Sequence, residues 1–176
     1  EQKFFYSGYN RSFFKKAEEE NPFLTTAVEP WEYMQKDLWV SNRIPIHTWL
    51  VRSSCFEQTG FFDETQEMLE DFEFLVRLSE LTNFVRINSV TCEYRFYLDG
   101  LNSMIFQREK TLNSLISIYH KHETEDVDIV NRRAVELKVL QKEVEKISEL
   151  RKTIEINPES VSRISQEILS IVLGFK

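Results

Sequence analysis

With 176 residues the chain has room for one domain of ~100–150 residues plus an appendage, and its 41% apolar content with 14 Phe excludes a disordered or disulfide-stapled chain. The balance of 22 Lys and Arg against 29 Asp and Glu leaves a net charge of −7, which argues against nucleic acid as a partner. No apolar run approaches the ~20 residues of a membrane span and the first residues lack signal-peptide order, so a cytoplasmic protein without a transmembrane segment is expected.

Along the chain, residues 3–9 (Lys3-Phe4-Phe5-Tyr6-Ser7-Gly8-Tyr9) read as a strand that starts without a lead-in. Residues 14–22, with Glu18-Glu19-Glu20, read as an exposed loop or hairpin tip. Trp31, Met34, Leu38 and Trp39 recur at helical spacing before Asn42 to Pro45 interrupts the pattern. His47 to Cys55 contains a strand-like run, and Phe56 to Thr59 links it to Gly60. Met68, Leu69, Phe72, Leu75, Val76 and Ser79 then predict a helix with Glu70 and Asp71 in its first turn. Residues 84–97 alternate as a strand, with Val90, Cys92, Tyr94 and Phe96 on one face and Thr91, Glu93, Arg95 and Tyr97 on the other. A loop from Leu98 to Ser103 follows.

Near residue 108 the pattern changes to helix. A helix is expected over about 106–122, and Leu137, Leu140, Val144, Ile147, Leu150 and Ile154 follow at steps of three and four. Val161, Ile164, Ile168, Ile171 and Phe175 repeat the spacing after Asn157-Pro158, a favourable helix start, so the simplest arrangement is a helical hairpin. Cys55 and Cys92 lack metal-ligand spacing and are expected to be reduced thiols. No metal site is expected in this chain. His120 and His122, two apart on a helix, are expected to be surface residues on different faces.

The stretch from Asn42 to Arg95 carries an ordered set of motifs: Asn42-Arg43-Ile44-Pro45, Leu50-Val51-Arg52, Gly60-Phe61-Phe62-Asp63-Glu64, Leu69-Glu70-Asp71-Phe72-Glu73-Phe74, Arg77-Leu78 and Cys92-Glu93-Tyr94-Arg95. This set resembles the acceptor-side half of family 2 glycosyltransferases, over roughly residues 1–108. The resemblance implies an α+β region, part of an A-type glycosyltransferase fold, followed by an α-helical extension over 109–176. It also implies an inverting transfer in which Asp71 is the catalytic base, with Glu70 in a positioning role. An ionised carboxylate suits that task, since a helix N-terminus favours it and the attacking hydroxyl needs a proton acceptor within hydrogen-bond reach.

Gly60 to Asp63 reads first as a turn that positions Asp71. Arg77 and Arg95 are candidates for a phosphate or Glu70 contact, and more commonly such residues form structural ion pairs. His47 is a weaker candidate for a substrate contact. Asp126-Val127-Asp128 has the letters of the family's D-x-D metal motif, but it lies downstream at a helix boundary, where Asp is an N-cap. The family's nucleotide-binding half and metal motif have no counterpart, so the chain is expected to be a fragment, inactive alone. The nucleotide-sugar donor, the glycan acceptor and a divalent Mg or Mn ion would then meet in a longer parent enzyme. The competing class is a non-enzymatic interaction module whose helical tail docks within the chain or self-associates.

Overall fold

The computed structural model describes residues 3–16, 18–32, 34–97 and 107–156, with 167 and 170; for 151 and 153–156 the backbone alone is described. Its frame is a four-stranded sheet around β1 (Phe4–Phe14), an aromatic-rich strand whose side chains alternate into packed layers. On one edge β1 pairs antiparallel with β3 (Trp49–Val51) at its start and with β2 (Leu24–Val28) at its end. On the other edge it runs parallel to β4 (Phe84–Tyr97), with register shifts on either side of Gly8. The chain is thus α+β, with a mixed sheet and helices that flank it.

Several expectations change in detail. β1 continues to Phe14 instead of ending near residue 9, and residues 15–16 and 18–23 lie in the hairpin connection before β2. β2 itself was not expected: it is largely exposed and has no apolar alternation, and its partner strand defines it. The helix expected from Pro30 contracts to α1 (Gln35–Leu38). The strand-like run from His47 to Cys55 divides into a 3-10 turn (Ile46–Thr48), β3 and α2 (Ser53–Thr59), which puts Cys55 in a helix. Polar Ser53-Ser54 interrupt the apolar run after only three paired residues.

α3 (Glu70–Ser79) lies between two cores and is buried almost all round. One face of it, through Phe74, Leu75 and Leu78, joins Phe4, Tyr6, Leu38 and Ile44. The other, through Phe72 and Val76, packs on α4 (Arg108–Lys121) at Leu115, Ile118 and Tyr119 and on Leu140 of α5 (Val127–Ile156). The buried or half-buried positions Ile129, Arg133, Leu137, Leu140, Val144 and Ile147 of α5 follow the expected steps of three and four. The second apolar run, from Val161 to Phe175, the Asn157-Pro158 break and the loop at 98–103 lie outside the described residues. Among the described residues, no helix is long and apolar enough to cross a membrane.

Candidate active site

A cleft of about 800 Å³ opens between one face of the sheet, the 28–31 segment, the 42–47 loop and the start of α3. Gly8 sets one of its walls. A Cβ there would lie 2.6 Å from the Val28 carbonyl and 2.9 Å from Pro30 Cδ, so only glycine lets β1 run this close to the segment that carries Trp31. The Tyr6 hydroxyl donates to the Trp31 carbonyl at 2.5 Å and fixes that rim. Trp31 itself is 58% exposed, an aromatic face turned outward at the mouth of a cleft.

α3 begins abruptly. Leu69, its N-cap, has φ 62° and ψ 26°, the left-handed region that a branched residue rarely enters. That turn delivers Glu70 and Asp71 to the cleft. Asp71 Oδ1 accepts the Phe72 backbone N–H at 2.7 Å, and Oδ2 accepts the Asn42 side-chain amide at 3.1 Å. Asn42 is held in turn: its Oδ1 accepts the Ile44 N–H at 2.8 Å. Burial pushes the Asp71 carboxyl up to about 6, assisted by the charge of Glu70, while the two hydrogen bonds pull the other way. A carboxylate tuned this close to neutrality is ionised at pH 7 and still basic enough to take a proton. Glu70 is exposed beside it.

Opposite the carboxylates the wall is aromatic. His47 stacks on Tyr94 at 5.0 Å between ring centroids with 19° between planes, and Tyr9 meets the edge of His47 at 5.8 Å. Burial lowers the His47 imidazole below its ordinary value, which leaves it neutral at pH 7. Burial also raises the Tyr94 phenol, with the nearby Tyr9 and Asp71 adding to the effect. Aromatic faces beside a hydrogen-bonding carboxylate suit a ligand with both apolar C–H faces and hydroxyls.

Of the residues singled out by sequence, the cleft brings together Asp71, Glu70 and His47. Arg77 and Arg95 do not line it. Arg77 grips the buried Glu73 carboxylate through Nε at 3.0 and 2.9 Å and Nη2 at 2.7 Å, and donates to the carbonyls of Thr59 and Phe61. Arg95 pairs with Glu93 at 2.6 Å, more than half exposed. The expected turn at Gly60 to Asp63 is present: Gly60 has φ 78°, and Asp63 Oδ1 accepts the Thr65 N–H at 2.9 Å. Asp126 caps α5 by accepting the N–H groups of Asp128 and Ile129. Cys55 and Cys92 are free thiols.

His122 corrects the expectation of a surface residue, because its side chain is only 11% exposed and its Nε2 lies 3.1 Å from Glu73 Oε1. It closes the helix at its C-cap, where the chain turns back toward α3; His120 is exposed as expected. Asn42, Tyr9, Tyr94 and Trp31 are the residues that sequence reading missed. Asn42 opened the quoted Asn42-Arg43-Ile44-Pro45 motif and broke the preceding helical pattern, but nothing local linked it to a carboxylate 29 positions on.

No family model, curated protein or solved structure matches the chain. Among the described residues, no group of three or more His, Cys, Asp or Glu side chains is arranged to hold a metal ion.

Proposed function

We propose that the chain is the acceptor-side part of an inverting glycosyltransferase, with Asp71 as general base. In this reading an acceptor glycan lies across the aromatic wall, with one hydroxyl against Asp71. Its proton passes to the Asp71 carboxylate as the oxygen bonds to the anomeric carbon of a nucleotide-diphospho-sugar. The bond from that carbon to the phosphate oxygen breaks, and its electron pair leaves with the nucleotide diphosphate. Glu70 raises the basicity of Asp71 through its charge, and Asn42 holds the carboxylate in place. Donor and metal binding belong to a longer parent enzyme, and the reading places that enzyme in the cytoplasm.

The single observation that carries this reading is a carboxylate with its pKa pushed to about 6, fixed by two hydrogen bonds, in an aromatic-walled cleft. The test is sugar transfer by the full natural protein and by its Asp71→Asn variant. Loss of the base should lower kcat by roughly 10²–10⁴-fold with donor binding unchanged. Undiminished turnover would remove the assignment.

A second reading draws on α5, where Val127, Val135 and Val139 are 70%, 63% and 50% exposed. It makes the chain an interaction module that docks a helix or a second copy of itself. Sedimentation that gives a monomer at all concentrations would discard the self-association form.

A further inference from the structure

Arg11 is the least satisfied cation of the cleft. It sits in β1 between Thr26 of β2 and Tyr94 of β4, so its side chain shares the sheet face of Tyr9 and lines the cleft. Its Nε is shielded from solvent and has no hydrogen-bond acceptor among the described residues. Nη2 reaches the Tyr9 hydroxyl only at 3.5 Å, the outer limit of a hydrogen bond. Four other arginines have a carboxylate partner, Arg77 with Glu73, Arg95 with Glu93, Arg108 with Glu143 and Arg132 with Asp37; Arg108 Nε and Arg133 Nη2 are also shielded without a hydrogen bond, but neither residue lines this cleft. A guanidinium N–H shielded from water without an acceptor is unfavourable unless something else supplies one. A second cation stands in the same cleft, the exposed Arg43, whose guanidinium lies 5.3 Å over the Trp31 ring.

We propose that Arg11, supported by Arg43, is an anion subsite that takes a carboxylate or phosphate carried by the acceptor, so that the acceptor is an acidic sugar. This inference rests on the acceptor reading above. The planar fork of a guanidinium matches either anion through two parallel N–H···O bonds. The charges of the cleft then orient the ligand. Glu67, Glu70 and Asp71 repel an anion at the α3 end and Glu29 repels it at the 28–31 wall, while Arg11 attracts it at the sheet, which leaves a hydroxyl and not the acid group facing the base.

The test is calorimetric titration of the full natural protein with four probes: a glucuronate-containing disaccharide, its carboxyl-reduced counterpart, glucose 6-phosphate and inorganic pyrophosphate. The acidic disaccharide should bind about tenfold or more tightly than the carboxyl-reduced one. Arg11→Gln should erase that advantage and leave the affinity for the neutral sugar unchanged. Arg11→Lys, which keeps the charge without the fork, should retain part of it and serves as the readout where Arg11→Gln fails to fold. A preference for glucose 6-phosphate over the uronate would identify phosphate as the recognised group. Equal binding of the acidic and neutral disaccharides would overturn the subsite and leave the acceptor reading standing. Pyrophosphate binding that exceeds both acidic sugars and disappears in Arg11→Gln would also overturn it, since the anion would then belong to the leaving group. If no sugar binds, the subsite and the acceptor reading fall together.

Discussion

Asp71 couples chemistry to stability in a direction that can be measured. Its folded pKa, about 6, lies above the ordinary 3.8, so the folded chain holds more protons than the unfolded one between those values. Stability therefore falls as pH rises through that window, and by neutral pH the ionised carboxylate costs about 3 kcal/mol. Asp71→Asn removes the charge and can keep only one of the two hydrogen bonds, so it should stabilise the protein at pH 8 by about 1–3 kcal/mol and change little at pH 4. Urea unfolding of both proteins at the two pH values checks this, and a variant less stable at pH 8 would refute it. The same titration predicts that turnover rises with pH through an acid limb near 6, absent from any residual activity of the variant.

At the scale of elements, the position of α3 depends on a buried charge. The Glu73 carboxylate is inaccessible to solvent and accepts from Arg77 in its own helix and from Lys121 and His122 at the end of α4. Lys121 also reaches Asp63 at 2.9 Å, which ties in the turn before α3. Burial alone would raise the Glu73 pKa, but the bonds from His122, Arg77 and Lys121 outweigh it and hold the group at about 2. A depressed carboxylate contributes stability above its unfolded value of 4.5 and loses it as pH falls toward 2, here about 3 kcal/mol. Glu73→Gln takes the anion away from the largely buried Arg77 and leaves Lys121 only Asp63, and should cost about 3–5 kcal/mol at pH 7, a difference that narrows toward pH 2 in denaturant titrations. Gly8→Ala acts on a different contact: the added methyl must displace the Val28 carbonyl, at a cost of about 1–3 kcal/mol, and shift the Trp31 rim. A smaller loss, or sugar binding like that of the wild type, would mean that β2 yields without disturbing the cleft.

These elements also mark what a sequence can reveal. α3 was legible because its apolar positions repeat at about 3.6 over ten residues, and β4 because Val90, Cys92, Tyr94 and Phe96 alternate with polar neighbours. β2 and α2 were not, since five residues of which four are exposed and seven polar-rich ones leave no period to read. For the site, Asp71 and Glu70 emerged from local motif order, whereas Asn42, Tyr94 and the Glu73 network exist only when segments 29 to 49 residues or more apart fold together.

On the scale of the whole molecule, the question is whether the helices beyond residue 108 fold as a separate unit. Arg133 of α5 argues that they do not. Its Nε donates to the Trp39 carbonyl at 2.8 Å and Nη1 to the His122 carbonyl at 2.7 Å, while the guanidinium lies 4.5 Å over Tyr119 and 5.6 Å over Trp39. One side chain thus joins α5, the end of α4 and the segment after α1, at a helix C-terminus where orphan carbonyls favour a cation. The Tyr119 hydroxyl adds a bond to the Val40 carbonyl, and Phe72 and Val76 share a core with α4 and α5. Unfolding should therefore be a single transition. All three tryptophans precede residue 50, while α4 and α5 are the longest helices among the described residues; with Trp39, which packs on the extension, replaced by Phe, tryptophan fluorescence reports the sheet region and far-UV circular dichroism mainly the extension. The two probes should give coincident urea curves. Arg133→Ala strands buried carbonyls and removes two ring contacts, and should lower stability by about 3 kcal/mol while the curves stay coincident. Curves that separate in the Trp39→Phe protein would show two independent units and remove the structural link between the helical extension and Asp71.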